Sequence, residues 1–466
     1  MNDMFPPASG QREAWQLVDA AIERALGAVM AGPVLPTADS AAFRKELEHY
    51  DFAVPQPLAE AVRWVTSALQ TGLVQTTHPR YYGLFNGRAS LATEFADRIT
   101  AAFNPQLSVW SHAPAAVEIE RHTIAAVAAR LGYGSAAGGH FTSGGAEANF
   151  TGLLCALTRA SEDFDELGSR AFAGPPRVYA SKDSHLAWLK IAHEAGVGRG
   201  AIRLIPTDGR GRMDPNALRQ AIESDRRAGD VPVMIAATGG TTNAGAVDPL
   251  RECRAIADDH ALWLHVDAAW GGGLISSPQS RGPIAGIERA DSITIDAHKW
   301  LAATMGTGMF LIRDASLLAR VFRVAASYMP ASDSRLDPYV NSVQWSRRFA
   351  GLRLFLTLAT AGWEGLGRHI ERCLELATRL EARLRNHGWK IVNDPGMAVV
   401  CATPPSGSLE VDRLIAGLHA NGRHWCSRAM FEGQAVVRAC ITNSTTLESD
   451  VDALADELGA LARGGK

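Results

Sequence analysis

Asp291-Ser292-Ile293-Thr294-Ile295-Asp296-Ala297-His298-Lys299-Trp300 is a short β-branched run that ends in a polar turn carrying one lysine. Upstream, Leu262-Trp263-Leu264-His265-Val266-Asp267-Ala268-Ala269-Trp270-Gly271-Gly272 is a second such run, and it ends in a lone carboxylate. Runs of this kind read as strands. A lysine that forms a Schiff base with an aldehyde cofactor needs a perch at a strand end, and a pyridine nitrogen on that cofactor needs a carboxylate on a neighbouring strand. Lys299 and Asp267 supply both. An ordinary ion pair is the alternative for two such residues, so their flanks decide the reading.

The order and spacing of the pair imply pyridoxal 5'-phosphate (PLP). Asp267 is expected to keep the pyridine nitrogen protonated, so that the ring draws electrons from a carbanion at the substrate Cα. Ala269 is small enough to lie flat under the ring, or it simply packs a strand. Gly139-His140-Phe141-Thr142-Ser143-Gly144-Gly145-Ala146-Glu147-Ala148-Asn149 precedes an apolar helical stretch. Glycines at a helix start let backbone N–H groups approach an anion, and the helix dipole favours it. Gly145 and Ala146 are therefore candidates for a phosphate cup. His185 follows a strand and is placed to stack on a cofactor ring, unless it is a surface-loop histidine. Thr242, in Gly239-Gly240-Thr241-Thr242-Asn243, is placed to hydrogen-bond the cofactor's ring oxygen or a substrate carboxylate; a turn-forming threonine is the competing reading.

Working outward, β-rich runs recur at Arg177–Ser181, Ile202–Ile205, Val233–Thr238, Leu262–Val266, Ser292–Ile295 and Met309–Ile312, with helical stretches between them. Ala116 to Leu131 reads as an amphipathic helix closed by Gly132. Asp214-Pro215 and Asp248-Pro249 each read as an N-cap followed by proline in the first turn. Apolar strands alternating with helices predict an α/β fold, a mostly parallel sheet covered on both faces, with ligands at the strand C-terminal ends. Before this core, helices are joined by Pro-rich turns. After it, a long helix of about Gly367 to His387 leads into strands at Trp389–Val392, Ala398–Ala402 and Ala435–Ile441.

The bulk numbers agree with this. The 466 residues hold 46 Lys+Arg and 49 Asp+Glu, a net charge of −3 that argues against a nucleic-acid or membrane-surface partner. Six scattered cysteines without a CxxC pair make zinc or a disulfide framework unexpected, so no metal is predicted and a reducing cytoplasm is the plain expectation. The N-terminus has no basic start followed by an apolar stretch, and no run approaches about 18 apolar residues, so neither a signal peptide nor a membrane span is expected.

Five motifs in order, His78-Pro79-Arg80-Tyr81-Tyr82, Trp110-Ser111-His112-Ala113-Pro114, Thr142-Ser143-Gly144-Gly145, His265-Val266-Asp267-Ala268-Ala269 and His298-Lys299-Trp300, resemble the group II PLP-dependent amino-acid decarboxylases. These include the aromatic-L-amino-acid, histidine, glutamate and 2,4-diaminobutyrate enzymes. The resemblance implies PLP fold type I, like aspartate aminotransferase, with a seven-stranded sheet. It implies an N-terminal helical arm at 1–84, a large cofactor domain at 85–363 and a small α+β domain at 364–466. It further implies a homodimer with the active site at the subunit interface.

Roles follow from the resemblance. Lys299 is similar to the family's cofactor lysine, Asp267 to its pyridinium partner and His185 to its ring-stacking histidine. Gly145 and Ala146 fall where backbone amides hold the phosphate, with His298 nearby. Thr242 matches the active-site threonine, and Arg438 the arginine that places the α-carboxylate. The family carries a tyrosine on a mobile loop that protonates Cα after CO2 leaves. Tyr339 is the candidate, with Tyr328 as competitor because the register from Arg347-Arg348 is one residue off. Phe85, Gln106 and Trp110 fall near the substrate side chain, where the lining is mixed, and Gly362 matches a position at which aromatic-specific members keep glycine. An aromatic L-amino acid is preferred as substrate; glutamate or 2,4-diaminobutyrate stays open. An aminotransferase shares the cofactor parts but does not need the loop tyrosine, and an aldehyde-forming relative has phenylalanine in its place.

Overall fold

The computed structural model describes residues 4–324, 337–394 and 396–464. Seven strands form the central sheet: β1 (Gly138–Thr142), β2 (Pro176–Ser181), β3 (Ile202–Ile205), β4 (Val231–Thr238), β5 (Trp263–Asp267), β6 (Ser292–Asp296) and β7 (Gly308–Ile312). Their order is β1-β7-β6-β5-β4-β2-β3. β7 runs antiparallel to both neighbours, and every other pairing is parallel. β5 and β6 are buried at every position, as strands covered by helices on both faces must be. The expected mostly parallel sheet is present. Sequence reading misses only β1, because Gly138-Gly139 reads as a turn. Gly139 has φ +148 and an added Cβ would lie 2.0 Å from the Phe310 carbonyl oxygen, so glycine is required for β1 to approach β7.

Asp214 caps its helix as expected, accepting from the backbone of Asn216 and Ala217. Asp248 does not. Its helix begins at Leu250, and the carboxylate accepts instead from the backbone N–H groups of Met213 and Thr238, each at 2.7 Å. Those two donors belong to a loop and to the end of β4, and burial there pushes the Asp248 carboxyl up to about 6.

The smaller sheet is antiparallel, β10-β11-β9-β8, from β8 (Lys390–Ile391), β9 (Val399–Thr403), β10 (Ser427–Phe431) and β11 (Gln434–Cys440). The helix leading into it runs Gly351–Asn386, not from Gly367, and is broken at Gly362, where φ is +64 and ψ 179. The helix thus crosses the expected domain boundary of 363/364, and the backbone break lies beside it.

The N-terminal helices are α1 (Ala8–Ala31), α2 (Ser40–Leu47) and α3 (Leu58–Gly72). Val34 and Gln75 tie them to the small-sheet region through the Val34 N–H bond to the Gly422 carbonyl and the Gln75 N–H bond to the Val34 carbonyl. Trp15, Ile22, Leu26, Met30, Val65 and Leu69 on α1 and α3 stay exposed. No helix among the described residues is long and apolar enough to cross a membrane.

Candidate active site

β4, β5 and β6 end side by side, at Thr238, Asp267 and Asp296, with Thr238 in register with Asp267. α4 (Leu91–Phe103) and α5 (Pro114–Leu131) lie before the sheet, and α6 (Gly145–Ala160) starts directly after β1. A cavity of about 120 Å³ opens at these ends and brings together Gly145, Ala146, His185, Thr242, Asp267, Ala269 and Lys299. Three further polar lining residues, Asn149, Thr238 and Asp296, were not singled out by sequence. Each had a signal: Asp296 stands one turn before Lys299, Asn149 one helical turn after Gly145 on the same face, and Thr238 at the end of its strand.

Lys299 Nζ is 3.3 Å from Asp296 Oδ2 and 5.4 Å from the centre of the Phe85 ring. Asp296 is only 4% exposed; burial pushes its carboxyl up, and the charges of Lys299 and His298 oppose that. His298 is buried 3.7 Å from the same carboxylate, with Nδ1 against the Thr307 backbone. It stands behind the cup and not on the cavity wall.

Asp267 is held on both oxygens. Oδ1 accepts from the Ala269 N–H at 3.1 Å and Oδ2 from the Asn149 amide at 2.8 Å. Asn149 Oδ1 faces His265 Nε2 at 2.9 Å, and His265 Nδ1 faces Ser292 Oγ at 2.8 Å. The Trp263 indole donates to that same Ser292 oxygen at 2.8 Å. Burial pulls His265 down to about 4, so the ring is neutral near pH 7. Because the Asn149 nitrogen is given to Asp267, its oxygen must accept, which assigns the proton to Nε2 and leaves Nδ1 to accept from Ser292. Gly152 permits this packing, since a Cβ there would sit 2.7 Å from His265 Nδ1.

α6 begins at Gly145, and an added Cβ at Gly145 would lie 3.0 Å from Asp296 Oδ2 and 3.3 Å from the Ala269 Cβ, so the cradle admits backbone only. Glu147 accepts from the Ser143 N–H and hydroxyl and fixes the turn. His185, exposed at the cavity, accepts through Nδ1 from the Ala187 N–H at 3.1 Å.

Arg438 is 2% exposed. Its Nε donates to the carbonyls of Thr242 and Asn243 at 3.0 Å, and Nη1 to Gly83 at 2.8 Å, while Nη2 finds no acceptor. Phe85 lies 5.1 Å beneath this guanidinium, and its ring packs on Trp270 at 4.2 Å. Arg438 Nη2, Thr238 Oγ1 and Asp296 Oδ1 are all buried and unpartnered. Thr238 and Asp296 line the cavity and Arg438 does not, and orphaned polar groups on a cavity wall call for a polar guest. A glycine cradle at a helix N-terminus, a lysine and a doubly held carboxylate fit one bearing a phosphate, an aldehyde and a ring nitrogen. PLP fits these residues.

Gln106, Trp110 and Tyr339 are elsewhere and stand together. The Tyr339 N–H donates to the Ser108 carbonyl, and its ring lies 4.8 Å from Trp345. The Trp110 N–H donates to Asp337, and Gln106 reaches Ser346 at 3.5 Å. None of the three lines the Lys299 cavity of the same chain. Tyr328 lies outside the described residues.

Residues 53–403 match the pyridoxal-dependent decarboxylase conserved domain. The chain is 29% identical over 435 residues to the aromatic-L-amino-acid decarboxylase of Catharanthus roseus, covering 90% of this chain and 87% of that one. It is 32% identical over 414 residues to the cysteine sulfinic acid decarboxylase of Homo sapiens, covering 84% and 83%. The crystal structure of Oryza sativa TDC with PLP and tryptamine superposes with a TM-score of 0.92 at 26% identity, over 99% of both chains. The chain belongs to the pyridoxal-dependent decarboxylase family, and within it to the group II enzymes. It is a PLP-dependent amino-acid decarboxylase.

Proposed function

We propose that the enzyme converts an aromatic L-amino acid to its amine and CO2. The observation that carries the substrate class is the apolar wall formed by Phe85 on Trp270, directly below Lys299 and Arg438. A second reading, an acidic or otherwise polar amino acid, draws support from the exposed Gln106 amide and from the likeness to cysteine sulfinic acid decarboxylase.

PLP, when bound, supplies the electron sink that lets the Cα–carboxylate bond break. Lys299 is the residue that carries it, and the Asp296 carboxylate positions the lysine amine. Asp267, fixed by Ala269 and Asn149, keeps a proton on the ring nitrogen. The backbone of Gly145 and Ala146 takes the phosphate, with His298 behind. Thr242, His185 and Ala269 line the same cavity and would bound the ring. Arg438 would offer its Nη2–H to the substrate α-carboxylate and so help orient the bond that breaks. Tyr339 returns a proton to Cα.

Gln106, Trp110 and Tyr339 do not line the Lys299 cavity of their own chain, so in this reading they serve the site of a second copy. The exposed apolar residues of α1 and α3 suit burial in such a homodimer. Six free, buried cysteines suit a reducing cytoplasm.

The decisive experiment compares amine and CO2 release from L-tryptophan, L-tyrosine and L-phenylalanine with that from cysteine sulfinate, L-glutamate and L-2,4-diaminobutyrate. One aromatic substrate is expected to exceed every polar one in kcat/KM by at least about tenfold, the worth of roughly 1.4 kcal/mol of side-chain recognition. A polar amino acid at the top of the series replaces the aromatic reading.

A further inference from the structure

At the opposite ends of the same strands lies a second cavity, of about 320 Å³, in the size range of small-molecule sites. It is bounded by the starts of β4 and β5, through Val233 and Trp263, and by Asp291 just before β6. Four arginines line it: Arg159, Arg254, Arg289 and Arg313, against two carboxylates, Asp258 and Asp291. The lining contains no lysine, histidine, cysteine, serine or threonine, so it offers charge and donors but no nucleophile or general base.

Arg254 is the buried member, 7% exposed. It donates through Nη1 to Asp291 Oδ2 at 2.8 Å and contacts Asp258 Oδ1 through Nη2 at 2.8 Å, while its Nε–H has no acceptor. A buried, unmatched donor on a charged group is costly unless a guest completes it. Arg289 only approaches Asp258, at 3.5 Å. Arg313 is braced by backbone carbonyls, donating to Ala290 and Glu288, and packs over Tyr133 at 5.8 Å. Neither Arg313 nor Arg159 has a carboxylate partner among the described residues. The two carboxylates are thus engaged by Arg254 and Arg289, and two guanidiniums are left over.

We propose that this cavity is a binding site for a compact dianion, the chemistry shared by a phosphomonoester and a dicarboxylate. Two surplus guanidinium forks match two negative charges. The site is separate from the catalytic cavity, since the two lie at opposite ends of β4, β5 and β6 and share no lining residue.

The test is titration calorimetry on the PLP-loaded full chain, with inorganic phosphate and succinate as separate probes. Loading with PLP keeps phosphate out of the cup at α6. Saturable uptake of one equivalent per chain is expected for at least one probe, with a Kd below about 1 mM and weakening as sodium chloride is added. Which probe binds identifies the source of the dianion. The double variant Arg159→Glu/Arg313→Glu is expected to weaken binding at least tenfold, with the decarboxylation kcat/KM unchanged. Arg159→Gln/Arg313→Gln serves if charge reversal impairs folding, and Arg210→Glu is the control for net charge. No saturable uptake of either probe overturns the proposal. So does uptake that survives the double variant, or uptake that amino-acid substrate displaces.

Discussion

At the residue scale the site divides into groups that touch the reacting atoms and groups that hold them. Lys299→Ala is expected to abolish the adduct that borohydride traps between protein and cofactor; mass spectrometry of the reduced protein checks it, and a cofactor-modified peptide in the variant refutes the assignment. Asp267→Asn keeps the packing with Asn149 roughly intact but cannot hold a charged ring nitrogen. It is expected to bind PLP and to lose at least about a hundredfold in kcat, ~2.7 kcal/mol of barrier. A PLP-loaded variant turning over at the wild-type rate defeats the electronic role. Lys299, Asp267, Gly145, Ala146, His185, Thr242 and Ala269 were legible in the sequence because each sits in a short motif at a strand or helix end. Asp296, Asn149 and Thr238 were not, because their places in the cavity wall depend on three neighbouring strand ends and a helix start converging, a long-range fact that no local pattern carries.

At the scale of elements, the parallel strands announced themselves by apolar runs, and the boundaries found lie within a residue or two of those read from the sequence. β1 and β10 escaped because glycine and alternating polar residues also describe turns. The long helix was read too short because Gly362 resembles a helix end and is in fact an interruption. Its φ of +64 with ψ of 179 is a region open essentially to glycine, so Gly362→Ala is expected to lower stability by about 1–3 kcal/mol. Nothing stands within 4 Å of the new Cβ, so the cost arises in the backbone and not from a clash. Urea unfolding measures this, and a midpoint equal to or above the wild type's shows that the break is not under strain. The cap assigned to Asp248 failed for a tertiary reason: two backbone donors from other segments compete for that carboxylate, and they win.

At the scale of the whole molecule, the proposed homodimer predicts sharing between subunits. Lys299 and Tyr339 belong to different clusters of one chain, so two dead enzymes are expected to repair each other. Lys299→Ala and Tyr339→Phe, each inactive for amine formation as a homodimer, are to be unfolded and refolded together in equal amounts. Random pairing of two-fold dimers gives about a quarter of wild-type activity, since half the dimers carry one intact site. No recovery, with dimers shown by sedimentation to have mixed, means that Tyr339 acts within its own chain or not at all. Running the same mixture with Tyr328→Phe in place of Tyr339→Phe decides which tyrosine is the acid. Fold class and cofactor were readable from a single chain's sequence. Which residues would complete the proposed shared site was not, because periodicity reports only how a chain packs on itself.

The string from Trp263 through Ser292, His265 and Asn149 to Asp267 has one further consequence. Every hydrogen in it points the same way, from the indole toward the carboxylate. Such an array adds its dipoles and presents a positive end to Asp267. Yet one link is a carboxamide, which has no proton to spare. The string therefore transmits polarisation and blocks conduction: it works as a capacitor and not as a wire, and Asp267 feels the charge of the groups behind it without exchanging a proton with them.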